Sequence, residues 1–451
     1  MAVSYDDSVT LRLEGTGDRI IMNLASRMHG PHKRSALMRF SMSGRLTPLL
    51  IGLLCISLVG ATLEFGHGHL HVLTAKLDPQ VVVPQYPSGP GGQDVLRLSR
   101  TASSIGEDPE FLSVTLLPGR GMNVFQIMAL VPGRGDVPLL ASPSLASAAS
   151  LLNGQGVDSS GTNSTALGGA LLLPWARRLT GAPVSSDAST PLLQTEWQGQ
   201  MFQVPADAPG SSTSVEGLLL KQATSTVQTE VLPDGQSAVA VFQPGSFSGQ
   251  WPSSLEITVR VELEAHDLDL TMTAKNTGGR PMPLGAGWQP IFSLPSSGRG
   301  SALLMIPSTT VSEVDHGTML PTGRAVSVAH TPLDFSSAGG TRLGPGGIDE
   351  TYTDLHKSPQ AAEPVAELRD PASDLLLRLV ALSPSITNLH VLAPLNKNWI
   401  SISPNTNFDD PLGPEWASPH SSGMVTLAPG ESLQWKVRLE IGRISTLAGA
   451  N

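Results

Sequence analysis

Leu284-Gly285-Ala286-Gly287-Trp288-Gln289-Pro290-Ile291-Phe292-Ser293-Leu294 combines a glycine pair, a Trp, a lone Gln, a Pro and a Phe. The glycines allow close backbone approach, and Pro290 fixes φ and removes one donor. Gln289 sits among bulky neighbours where a bland apolar residue is expected. Two readings fit: the floor or rim of a ligand cleft, or a strand end with a partly buried amide. Just upstream, Leu255, Ile257, Val259, Val261 and Leu263 alternate with Glu256, Thr258, Arg260, Glu262 and Glu264. After Ala265-His266-Asp267, alternation resumes through Leu268, Leu270, Met272 and Ala274. This pattern predicts an antiparallel hairpin with one wet face. Leu433, Trp435, Val437, Leu439 and Ile441 repeat the theme near the C-terminus. Leu375–Leu382, Asn388–Leu392 and Trp399–Ser403 add further apolar runs of strand length. No four-turn helical stripe follows Leu63, and 46 Gly with 37 Pro favour turns and short strands. The expected fold is all-β, a large antiparallel β-sandwich, preceded by one N-terminal membrane or signal helix.

A chain of 451 residues accommodates two domains or one long β body. The 40% hydrophobic content is enough for a core, and charged residues are sparse at 15%. Before Glu64 there are seven basic and four acidic residues; the remainder holds 21 basic and 34 acidic ones. So acidic a body is unsuited to nucleic acid, whose binding depends on neutralising phosphates. Pro118–Gly121 and Pro132–Gly135 lack the Lys-Ser/Thr of a phosphate loop and read as turns. Residues 46–63 are uncharged and mostly apolar, preceded by Lys33, Arg34, Arg39 and Arg45. This predicts a transmembrane anchor or a signal h-region over 45–63, with 1–44 as a cytoplasmic tail and the body exported. Cys55, the only cysteine, lies inside that run. A linker and first strands are expected over 64–110, and the sandwich over 111–445. His67, His69 and His71 alternate in the linker, but without Cys or acidic neighbours they read as solvated, and no metal site is expected. Ser142–Leu167, Gly181–Leu192 and Pro321–Gly347 read as surface loops, the first long enough to be mobile.

Several pieces occur in a telling order: Leu117-Pro118-Gly119-Arg120-Gly121-Met122-Asn123, Pro174-Trp175-Ala176-Arg177-Arg178-Leu179, Val215-Glu216-Gly217-Leu218, Gly287-Trp288-Gln289-Pro290-Ile291-Phe292, Ile348-Asp349-Glu350-Thr351-Tyr352 and Ile400-Ser401-Ile402-Ser403-Pro404-Asn405-Thr406. The set resembles the aldose 1-epimerase (galactose mutarotase) family over about Phe111 to Ile441. The resemblance implies a β-supersandwich with an open hexose cleft and no cofactor. It also implies a Glu base, a His acid, and a second His and an Asp that hold the sugar. At the corresponding positions this chain has Ser403 for the base, Gln289 for the acid and Glu216 for the binding His. Asp349 matches, and Arg178 fits the Arg of the family's Asn-Arg segment. Anomer interconversion needs a group to take the proton from the anomeric hydroxyl and another to protonate the ring oxygen. An amide does not release a proton near neutrality, and a hydroxyl has no useful basicity unactivated.

The resemblance therefore implies a carbohydrate-binding protein whose epimerase chemistry is lost or weak, with Arg178, Glu216 and Asp349 on the sugar and Trp288 or Trp416 offering ring faces. A working epimerase with a Glu216/Asp349 pair is the alternative, and an envelope structural or protein-binding module is another. Asp409-Asp410 and Asp349-Glu350 are neighbours that a strand would turn to opposite sides, which weakens a hydrolase reading.

Overall fold

The computed structural model describes residues 9–15, 20–26, 38–42 and 89–445, apart from 104–106, 185–190, 215, 297, 359–360 and 417–420. The chain divides into two units, residues 1–85 and 86–451. In the first, Val9–Gly15, Ile20–Ser26 and Met38–Met42, within the stretch read as a cytoplasmic tail, form a three-stranded antiparallel sheet. Val9, Leu11 and Leu13 alternating with Thr10, Arg12 and Glu14 carry that signal in the sequence. The apolar run 46–63 and His67, His69 and His71 lie outside the described residues. Among the described residues, no helix is long and apolar enough to cross a membrane.

The second unit is built on two large antiparallel sheets of nine and eleven strands. The hairpin forms as its alternation dictates: Leu255–Leu263 pairs with Asp267–Asn276, Leu263 opposite Leu268, and every second residue of the first strand is buried. Ser432–Gly442 joins the hairpin's free side, with Leu270 opposite Val437. Leu375–Ala381, Asn388–Ala393 and Trp399–Asn405 are also strands. The inner faces of both sheets contribute to one apolar core, including Val114, Ile127, Val259, Leu270, Leu377, Val391 and Val437. At about 25 cal/mol per Å² of apolar area, such a core is the main force holding the sheets together.

The insertion expected to be mobile is packed down. It contains a short helix, Leu145–Leu151, and 3-10 turns at Gly156–Asp158 and Thr162–Ala166. Ser144 caps the helix, its side chain accepting from the Ser147 amide. Ala148 and Leu152 bury against Leu117 and Phe125. Asp158 pairs with Arg120, both almost fully buried, and Asn123 donates to the Ser164 and Leu167 carbonyls. The Pro118–Arg120 turn is thus a docking point for the insertion as well as a chain reversal. Breaking a buried pair leaves a charge without its counter-ion. Asp158→Asn should therefore cost roughly 2 kcal/mol in urea unfolding. Arg120→Met with Asp158→Leu should recover most of that loss, and a double variant as unstable as the single one would contradict this account.

Candidate functional site

Four neighbouring strands of the eleven-stranded sheet carry the site: Ile348–Thr353, Asn388–Ala393, Trp399–Asn405 and Gly287–Ser293, in that spatial order. Thr351 lies opposite His390, and His390 opposite Ser403. Gly287 pairs with Asn405 and Ile291 with Ser401, which puts Gln289 level with Ser403. Directly opposed residues share a face, so Thr351, His390, Ser403 and Gln289 form one row across the sheet. The two positions singled out as substituted acid and base are neighbours in this row.

The arginine loop, Trp175–Arg178, is pinned against this row from far along the chain. The buried Asn407 accepts from the Ala176 amide at 2.9 Å and donates to the Ala176 and Phe408 carbonyls, both at 2.7 Å. The glycine pair makes room for these asparagines: a Cβ at Gly285 would lie 2.0 Å from Asn407 Oδ1, and one at Gly287 2.2 Å from Asn405 Oδ1. Asp409 and Asp410 do turn apart, Asp409 to Arg177 at 3.1 Å and Asp410 to the Thr180 amide at 2.8 Å. Burial raises the Asp410 carboxyl, with the Thr180 contacts opposing it.

Arg177, held at φ 67°, is the hub. Its guanidinium lies 3.1 Å from Asp409, 3.6 Å from Glu216 and 4.0 Å from Asp349. Burial works against its charge, but the three carboxylates prevail and hold it above the ordinary arginine value. Glu216 responds in the opposite sense. Burial drives its carboxyl up to about 7; Arg177 pulls it down and Asp409 pushes it further up. His390 is 3% exposed, with Nδ1 3.1 Å from Thr351 Oγ1 and Nε2 3.3 Å from Asp349 Oδ1. Burial, then Arg177 and Arg178, hold this imidazole well below its usual range, so it is neutral at pH 7.

Two cavities flank the hub. The larger, about 420 Å³, includes Arg177, Arg178, Asp349, Glu350, Thr351, His390 and Asp409 in its wall, with His316 and residues of the paired strands Thr310–Asp315 and Leu320–Ser327 around it. The smaller, about 270 Å³, includes Thr162, Thr165, Asp207, Glu216 and again Arg177, Arg178 and Asp409. Arg178 donates to the Met319 carbonyl at 3.1 Å. Asp349 and Glu350 both line the larger cavity.

The residues expected from sequence therefore divide. Arg178 and Asp349 reach the larger cavity and Glu216 the smaller. Gln289 lines neither cavity; its amide donates to the Thr165 carbonyl of the packed insertion at 3.0 Å. Ser403 is 1% exposed, with its hydroxyl 3.1 Å from that of Ser401. Trp288 offers no ring face to a ligand: it is wholly buried, edge-on to Phe292. A strand reading alternates faces but does not say which one is covered, and here the core takes this indole. Trp416 stacks on Phe408 and donates to the Asp410 carbonyl, so it supports the aspartate loop. Asp315 caps its own turn, accepting from the Gly317 and Thr318 amides. Sequence reasoning missed Arg177, Asp409 and His390 as site residues. The only signal for His390 was its place in a predicted strand, and cross-strand register is invisible locally.

The family model for aldose 1-epimerase matches residues 193–440. No curated protein matches the chain by sequence. Among solved structures the chain is similar to a galactose mutarotase-like protein from Clostridium acetobutylicum, at 16% identity and TM-score 0.62, covering 78% of this chain and 99% of that one. An aldose epimerase homologue from C. elegans gives 14% identity and TM-score 0.56, with 77% and 99% covered. Galactose 1-epimerase from Lactobacillus acidophilus NCFM gives 14% and 0.53, with 78% and 99% covered. At these identities the structures share the fold.

Proposed function

Because the chain belongs to the aldose 1-epimerase family, we propose that it binds a sugar against Arg177, Arg178, Asp349 and His390 and has lost most or all capacity to interconvert anomers. One observation carries this reading: the row Thr351–His390–Ser403–Gln289 contains no group able to pass protons both ways near neutrality. Ser403 is buried against Ser401, and the Gln289 amide does not titrate and is occupied by Thr165. His390 is held as the neutral imidazole, and the N–H it keeps is too weakly acidic to protonate a ring oxygen at pH 7. What remains suits recognition. The arginines donate to sugar hydroxyls, and Asp349, 61% exposed at its side chain, accepts from them. In this reading the apolar run 46–63 anchors or exports the body.

A working epimerase using Glu216 and Asp349 draws support from the Glu216 carboxyl, which burial pushes to about 7. Against it, the two carboxylates line different cavities, and both approach the Arg177 guanidinium. A pair serving one pyranose has to reach its anomeric and ring oxygens together. The proton-NMR equilibration of α-glucose and α-galactose separates the readings. The expected result is the uncatalysed rate at pH 7. Acceleration of tenfold or more would overturn the first reading, and its loss in Glu216→Gln would select the second.

A further inference from the structure

We propose that the larger cavity takes a glycoside with an apolar aglycone in preference to a free sugar; this deepens, and rests on, the sugar-binding reading. The cavity wall changes character along its length. The arginine loop and central strands supply Arg177, Arg178, Asp349 and His390, whereas the strands Thr310–Asp315 and Leu320–Ser327, the turn between them and the segment after them supply Val311, Val314, Met319, Pro321, Val326 and Leu333. No Phe, Tyr or Trp ring is among the described residues that line it. The C–H face of a pyranose is typically met by such a ring, while an aliphatic wall suits an alkyl chain.

Met319 and Val326 are 53% and 39% exposed, two of only eight large apolar side chains exposed among the described residues. Covering them releases water from apolar surface, the usual driving force for such contacts. The Arg178–Met319 hydrogen bond ties the polar wall to the apolar one, so a ligand with both characters contacts one continuous structure. At about 420 Å³ the cavity is in the range that encloses a ligand larger than one ring. The chemistry agrees as well. In a glycoside the anomeric oxygen is locked in an acetal that does not ring-open freely, so its recognition needs neither acid nor base.

Isothermal titration calorimetry of the full chain with methyl and hexyl β-glucosides, methyl and hexyl β-galactosides, and 1-hexanol tests this. Each buried methylene is worth roughly fourfold in affinity. For at least one sugar, the hexyl glycoside is expected to bind at least tenfold more tightly than its methyl counterpart. In the double variant Met319→Asn/Val326→Thr that gain should fall by fivefold or more with methyl glycoside binding unchanged; Asn tolerates the φ of 58° at position 319. Equal binding of methyl and hexyl forms would overturn the aglycone proposal and leave sugar binding standing. Binding of neither form would overturn both, and 1-hexanol binding as tightly as the hexyl glycoside would overturn the aglycone proposal, because the sugar would then add nothing. A hexyl gain that survives the double variant would also overturn the proposal, because the chain would then lie elsewhere.

Discussion

Replacing Arg177 with Met is expected to destabilise the second unit by about 4 kcal/mol, because it leaves three carboxylates facing one another without their shared cation. Arg177 is 12% exposed at its side chain, and Glu216 and Asp409 are 18% and 17% exposed, so water compensates little. The variant side chain also remains at the left-handed φ of 67°, a conformation the arginine's contacts now hold in place. Arg178→Met is the control. Among the described residues its guanidinium makes one hydrogen bond, to the Met319 carbonyl, and its loss should cost under about 1 kcal/mol. All seven Trp lie at or beyond Trp175, so indole fluorescence during urea unfolding reports this unit alone. A loss below about 1 kcal/mol in Arg177→Met would remove Arg177 from the centre of the site.

Glu216→Gln is expected to flatten the pH dependence of stability. Burial raises this carboxyl to about 7 in the fold, from an ordinary value of 4.5. Between those two values the folded chain holds more protons than the unfolded one, so stability falls as pH rises. The contribution is complete below pH 4.5 and is lost as pH climbs through about 7. At 1.36 kcal/mol per unit the full change approaches ~3 kcal/mol. With 18% of the side chain exposed, about 2 kcal/mol is expected to be measurable. Urea unfolding at pH 5, 6, 7 and 8 should therefore show the native chain losing stability through this window, whereas the Gln variant holds level and is at least as stable at pH 8. The same downward slope in the variant would mean that Glu216 is not the titrating group.

The strands and the turns between them were readable because their signals are local. Alternation with period two placed Leu255–Leu263, Asp267–Asn276 and Ser432–Gly442, and the burial along them follows that alternation except at Asp269, which is buried in ion pairs with Lys436 and Arg438. The substitutions at Gln289 and Ser403 were legible as identities, since an amide and a hydroxyl have fixed chemistry wherever they fall. The insertion at Ser142–Leu167 was misread because its small, polar residues hide the buried Arg120–Asp158 pair, 38 positions apart in the chain.

By itself, then, the sequence determined an acidic, mostly β body, several of its strands, and the residue types at Gln289 and Ser403, where the family resemblance sets an acid and a base. Only the tertiary structure decided that Arg177 gathers the carboxylates, that His390 stands beside Ser403, and that Trp288 belongs to the core. Those outcomes depend on register and burial between segments as far apart as Ala176 and Asn407, 231 positions along the chain. A side chain's charge and exposure are set by whichever distant neighbours reach it, and no local period encodes them.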